Sequence, residues 1–116
     1  MPAESCPFCR VVRGEAAATI VHQDEWVVGF RDVRPVAPTH ILIVPREHVA
    51  SVQDLKPAHA ELVGRMILAA REIAMREGVD SGGYRLVLNT GSDAGQSVFH
   101  IHLHLLAGRR MHWPPG

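Results

Sequence analysis

The segment His100-Ile-His-Leu-His-Leu-Leu106 alternates imidazole and aliphatic side chains without interruption. Successive side chains of a β-strand point to opposite faces. His100, His102 and His104 are therefore expected on one face, with Ile101, Leu103 and Leu105 turned into a core. The strand is expected to run from Val98 to Leu106. Same-face neighbours lie about 6.6–6.8 Å apart along a strand. Three imidazoles at that spacing do not all carry charge cheaply, because like charges lower one another's pKa. A row of at least partly neutral imidazoles suits metal binding, or nucleophilic and acid–base chemistry near neutral pH. Surface histidines placed by chance would not interleave so regularly with core residues.

Immediately upstream stands Asn89-Thr-Gly-Ser-Asp-Ala-Gly-Gln-Ser97. Gly91 and Gly95 permit a close backbone approach to an anion. The Ser97 hydroxyl and the amides of Gln96 and Asn89 add donors. A Gly-rich loop by itself is usually only a turn. Next to an imidazole nucleophile, however, a loop of donors matches what displacement at phosphorus needs, namely stabilisation of charge on the non-bridging oxygens.

The rest of the chain supplies a frame for these two segments. Pro7 to Gly14 reads as a short helical turn with Phe8, Val11 and Val12 on its inner side. Ile20 to His22 and Trp26 to Phe30 read as strands joined at Gln23-Asp24-Glu25. Arg34 to Pro38 is a proline-marked loop, and Ile41-Leu-Ile-Val44 is a buried central strand ended by Pro45. A long helix is expected from Pro57 to Glu77, capped by Asp54 or a neighbour and stopped at Gly78. Its apolar stripe is Leu62, Met66, Ala69 and Ile73. Tyr84 to Asn89 reads as a further strand. The sum is a single α+β domain over residues 1–116: a five-stranded antiparallel sheet, one long helix and a short N-terminal helix.

Composition narrows the function. The chain has 116 residues, 47% of them apolar, with twelve acidic and twelve basic residues. No Lys/Arg run suggests a grip on nucleic acid. No apolar stretch approaches the roughly 20 residues that span a bilayer. Met1-Pro-Ala-Glu-Ser lacks the features of a signal peptide, so a cytoplasmic location is expected. A domain this small gains stability from a dimer interface. The only cysteines, Cys6 and Cys9, form a C-x-x-C. In a reducing compartment this spacing points to a metal, a free thiol pair or a redox pair rather than a structural disulfide. As half of a zinc site it needs two further ligands, and His48 is one candidate.

Gln96-Ser-Val-Phe-His-Ile-His-Leu-His-Leu-Leu106 resembles the signature of the histidine-triad superfamily. Phe30-Arg-Asp32, Ala37-Pro-Thr-His-Ile-Leu-Ile-Val-Pro45, Asn89-Thr-Gly-Ser-Asp93 and Arg110-Met-His-Trp-Pro-Pro-Gly116 resemble its purine nucleoside phosphoramidase branch. The resemblance implies that fold, a homodimer with one continuous sheet, and a site for a purine nucleoside monophosphate or phosphoramidate on each subunit. It implies hydrolysis of a P–N bond, as in adenosine 5′-phosphoramidate, through a nucleotidyl-histidine on His102. His104 and Ser97 would bind phosphate oxygens or the leaving group, and His40 and His100 would complete the catalytic set. Asp32 would accept the ribose hydroxyls, and Asn89, Gly95 and Gln96 would hold the phosphate region. Phe8, Phe30, Val33 and Leu42 would line the base and sugar pocket, with Trp113 on the leaving-group side. None of this chemistry requires a metal. Wider relatives pair a C-x-x-C with a histidine and the first triad histidine, which makes Cys6, Cys9, His48 and His100 the expected structural zinc set. That role turns His100 away from His102, which an irregular start to the strand would allow. A dinucleoside polyphosphate hydrolase, a nucleotide-binding regulator and a metal-storage protein are the competing readings.

Overall fold

Thr39–Pro45 is buried along almost its whole length, on both faces, which fits a strand at the centre of a sheet. In the computed structural model, which describes residues 3–116, it is the third of five strands. Met1 and Pro2, the start of the segment read for a leader, lie outside the described residues. The strands are β1 (Ile20–Gln23), β2 (Val27–Arg31), β3 (Thr39–Pro45), β4 (Tyr84–Leu88) and β5 (Leu103–Ala107). All neighbours are antiparallel, in the order β1-β2-β3-β5-β4. The short helix α1 is Pro7–Val12 and the long helix α2 is Ala60–Arg76.

The two faces of the sheet carry different cores. On one, Ile41, Ile43, Leu103 and Leu105 pack beneath α2, which contributes the expected stripe of Leu62, Met66, Ala69 and Ile73. Each of these Leu, Ile and Met side chains stabilises the fold by about 1.5–3 kcal/mol on burial. Helix and sheet lie so close that a Cβ on Gly29 would stand 2.9 Å from Ile73 Cδ1. On the other face, Val28, Phe30, Leu42 and Val44 meet Phe8, Val11 and Val12 of α1. The functional site lies on this thinner side.

The long helix begins at Pro57 as expected, with a 3-10 turn over Pro57–His59, and of the two cap candidates it is a neighbour, Lys56, and not Asp54 that stands at the N-cap. Asp54 instead accepts the Ser51 hydroxyl at 2.7 Å in the preceding turn, while His59 Nδ1 accepts the Lys56 N–H. The last strand does not begin at Val98. Its regular part starts at Leu103, and residues 98–102 leave the ladder. Their polar groups are satisfied elsewhere: the Ile101 N–H donates to the Val49 carbonyl at 2.7 Å, and the His100 ring reaches the Pro45 carbonyl.

Candidate active site and metal centre

The irregular stretch before β5 separates the three histidines. His104 stands in register with Leu42 and Val87, on the α1 side of the sheet. His102 is buried but lines a cleft of about 450 Å³ on the same side. His100 turns away from it into the protein and is fully buried. The expected shared face of three histidines therefore holds for two, and His100 does not reach the cleft.

Hydrogen bonds fix the proton positions. A carbonyl only accepts, so His102 Nδ1–H donates to the His100 carbonyl at 2.8 Å. With Nδ1 engaged by that carbonyl, Nε2 is the ring nitrogen of His102 left for the cleft that the residue lines. His40 accepts the Val36 N–H on Nδ1 at 3.1 Å, so its Nε2 bears the proton. That proton faces His104 Nδ1 at 2.9 Å, with Asp32 Oδ2 3.4 Å from the same nitrogen. His104 consequently presents an N–H at Nε2. Burial, then the charges of His102 and His40, holds His104 down to about 4, so it is neutral at pH 7. Burial also lowers His40, against the opposing charge of Asp32.

The donor atoms of Asp32, His40 and His104 all lie within 4.8 Å of one another. A metal on His40 Nε2 would force the proton onto Nδ1, pointing it at the Val36 N–H. The trio therefore fits a hydrogen-bonded relay and not a metal site.

Phe8, Phe30, Leu42, Asp32, Val33, Ser97, His102 and His104 all line this one cleft. Phe8 stands edge-on to both Phe30 and His102, with centroids 5.5 and 5.1 Å apart. Val33 is 91% exposed and so forms rim rather than wall. The small residues Ala16, Ala17 and Ala18, with Pro7, Val11, Val98 and two arginines, Arg31 and Arg34, complete the lining. Nothing in their local pattern marks them as site residues, because the fold brings them in from separate connections.

Other expected residues lie elsewhere or are already engaged. Asn89 lines a neighbouring groove with Arg85, Arg109 and Pro114. Trp113 is 82% exposed and lies outside the cleft of its own chain. Gln96 is buried, and its amide is used within the fold. Nε2 donates to the carbonyls of Ala50 and Val98, and Oε1 accepts the Gly91 N–H. The Gly95 N–H donates to the Ser92 carbonyl. Gly91, Gly95 and Gln96 thus shape the loop, leaving Ser97 as its side chain at the cleft.

Behind His102 lies the second cluster. Cys6 and Cys9 flank Phe8 at the start of α1, and both are buried, free thiols. His100 Nδ1 lies 3.4 Å from each sulfur, and His48 Nδ1 lies 3.2 Å from Cys9 Sγ and from His100 Nδ1. Zinc bonds of about 2.0–2.3 Å make a tetrahedron with edges of roughly 3.3–3.8 Å, close to these separations. The His100 Nε2–H donates to the Pro45 carbonyl at 2.8 Å, which leaves Nδ1 free as a ligand. Burial, together with the neighbouring Cys6, pushes the Cys9 thiol up to about 11. Burial holds His100 down to about 4, against the pull of the Pro45 carbonyl. The set Cys6, Cys9, His48 and His100 fits a closed structural zinc site.

Comparison with known proteins agrees with this geometry. Residues 5–112 match the family described as scavenger mRNA decapping enzyme C-term binding. The chain is 48% identical over 107 residues to the purine nucleoside phosphoramidase of Escherichia coli strain K12, covering 92% of this chain and 90% of that protein. It is 43% identical over 111 residues to the 14 kDa zinc-binding protein of Zea mays, covering 94% and 86% of the two. The crystal structure of a HIT family hydrolase from Legionella pneumophila superposes with a TM-score of 0.95 at 48% identity, covering 97% of this chain and all of the other. With its paired histidines on one cleft and their neighbour turned to a thiol pair, the chain belongs to the histidine-triad family of hydrolases.

Proposed function

We infer that this chain is a purine nucleoside phosphoramidase, hydrolysing the P–N bond of nucleoside 5′-phosphoramidates to a nucleoside monophosphate and an amine. One observation carries the reading: the His102 Nδ1–H bond to the His100 carbonyl holds the ring and leaves Nε2 as the nitrogen available in the cleft. The likeness to the Escherichia coli phosphoramidase supports the substrate class.

His102 Nε2 attacks the α-phosphorus and the P–N bond to the amine breaks, the amine leaving with a proton passed through the Ser97 hydroxyl, which solvent restores. Water then attacks the same phosphorus, the bond to Nε2 breaks, and His102 returns to its resting state. Covalent catalysis replaces one difficult displacement by two easier ones. The Ser97 hydroxyl and the His104 Nε2–H donate to phosphoryl oxygens as charge grows on them. Asp32 accepts the ribose hydroxyls through a carboxylate with two acceptor oxygens. Phe8, Phe30 and Leu42 enclose the base. Zinc in the Cys6–Cys9–His48–His100 site is structural, and the Zea mays relative supports that assignment.

The working unit is a homodimer in the cytoplasm. The edge strand β4 and a partly exposed apolar stripe on α2 support the dimer. Asn89 and Trp113 act at the phosphate and leaving-group end near that boundary, Trp113 from the partner's side. No helix among the described residues is long and apolar enough to cross a membrane.

Rapid acid quench of a reaction with labelled adenosine 5′-phosphoramidate tests the nucleophile. Wild type should trap nucleotide on protein through an acid-labile bond. His102→Asn should trap none and lose several powers of ten in rate, as enzymes stripped of a nucleophile do. A His102→Asn protein that keeps more than about a tenth of wild-type turnover would exclude His102 from that role.

A further inference from the structure

Three consecutive residues, His48, Val49 and Ala50, reach three parts of the site at once. His48 belongs to the thiol–imidazole cluster. The Val49 carbonyl accepts the Ile101 N–H at 2.7 Å. The Ala50 carbonyl accepts Gln96 Nε2–H, also at 2.7 Å, and Gln96 in turn closes the loop that ends at Ser97. On the opposite side of the cluster, Phe8 lies between the two cysteines and packs edge-on against His102. His100 has two tasks: its ring faces the sulfurs, and its carbonyl accepts the His102 Nδ1–H.

We propose that Cys6, Cys9 and His48 are positioning residues for the reaction. By gathering on one metal ion with His100, they hold the carbonyl that sets the tautomer and aim of His102, and the Phe8 wall against which His102 packs. The sheet itself does not do this, because residues 100–102 lie outside its ladder. Released from the cluster, the His100 ring keeps only its bond to the Pro45 carbonyl, and its own carbonyl loses one of the restraints that hold it. A displacement of about 1 Å at a nucleophile costs on the order of 100-fold in rate. The cluster therefore acts on the nucleophile through one residue's backbone and on the cleft wall through α1.

The inference rests on the phosphoramidase reading only for its kinetic readout. The spectroscopic readout is independent of it: the hydrogen-bonded ring N–H resonance of His102 in the purified, zinc-loaded protein. Chelation and His48→Ala should each abolish or shift that resonance and lower kcat about 100-fold, with a smaller change in KM. His48→Cys keeps a closed four-ligand set and should retain both the resonance and kcat. Should the metal-free chain unfold, cadmium exchanged for zinc keeps the fold with longer bonds to the ligands. It should shift the His102 ring N–H more than those of the distant His22 and His59. A folded metal-free or cadmium-loaded protein with an unchanged His102 resonance overturns the proposal. If the zinc-loaded protein fails to turn over phosphoramidate at all, the function assignment falls, and the resonance alone decides the coupling.

Discussion

His40 Nε2 lies 2.9 Å from His104 Nδ1, while the other nitrogen of His40 accepts the Val36 N–H at 3.1 Å. A main-chain donor thereby dictates which nitrogen of His104 faces the cleft with a proton. The relay runs from backbone to His40 to His104, without itself touching phosphorus.

Removing its middle member should release the end. His40→Ala leaves His104 Nδ1 unpaired and its tautomer free. The expected loss in kcat is about 10- to 100-fold, typical of partners that orient a working histidine. KM should change little, since His40 lies behind the cleft lining. Steady-state kinetics with adenosine 5′-phosphoramidate would decide, and an unchanged kcat would remove His40 from the relay.

Acid should destabilise the fold in a window that belongs to the histidines. Burial holds His104 at about 4, below the ordinary value near 6.5. Between those values the unfolded chain binds a proton that the folded chain refuses. Stability therefore falls as pH drops from about 6.5 toward 4, by up to about 1.4 kcal/mol per pH unit for each such histidine. The depressed carboxylate of Asp24 acts only at lower pH, so it does not obscure the window. Denaturant melts from pH 7 to 4.5 should show this slope, and His104→Gln should flatten it. Equal slopes in the two proteins would contradict a buried neutral His104.

Local pattern and tertiary structure contribute unequally to what the residues reveal. The alternation over residues 100–106 is enough to place Leu103 and Leu105 in the core and His104 opposite them. It mistakes His100, because a strand pattern carries no sign that Val49 and Pro45 take the local hydrogen bonds away from the ladder. Apolar spacing alone places α2 and its stripe, since burial against one sheet imposes a helical period. The zinc ligands come from three separate segments, and only the cysteine pair has a local signature. The alanines at 16–18 have none, since small apolar residues are common anywhere. Gln96 is legible as a polar residue in a Gly-rich loop, but whether its amide faces a ligand or the fold depends on Ala50, 46 positions away.

That inward-facing amide gives a prediction in which stability and binding separate. Gln96→Ala removes three hydrogen bonds from a buried side chain and leaves the Gly91 N–H and the Ala50 carbonyl without it. Stranded buried groups cost about 1–3 kcal/mol each, less where water enters. The melting temperature should fall by several degrees, and Gln96→Glu should fall nearly as far because it cannot donate to the two carbonyls. Were Gln96 instead a direct phosphate ligand, nucleotide monophosphate affinity would collapse with the melting temperature unchanged.

The final prediction concerns the dimer. Helix α2 buries Leu62, Met66, Ala69 and Ile73 on one side, yet Ile67, Leu68 and Met75 on its other sides are 42%, 58% and 50% exposed. Gly64 adds no side chain there, and a Cβ built on it would meet nothing within 4 Å. In the sheet, β4 is an edge strand whose every residue is half-buried, unprotected by charge except at Arg85. Long unblocked edges invite pairing with another copy. A two-fold axis beside β4 would pair the edges of two subunits and bring the apolar stripes of two α2 helices together. Leu68→Arg places a charge at such a boundary without touching the core. Light scattering should find wild type dimeric and Leu68→Arg monomeric, with a melting temperature for wild type that rises with protein concentration, as linkage to association requires. Leu62→Ala, inside the core, should lower the melting temperature while leaving the dimer signal in place. A wild-type chain that scatters as a monomer while remaining active would refute the dimer and, with it, the action of Trp113 across the boundary.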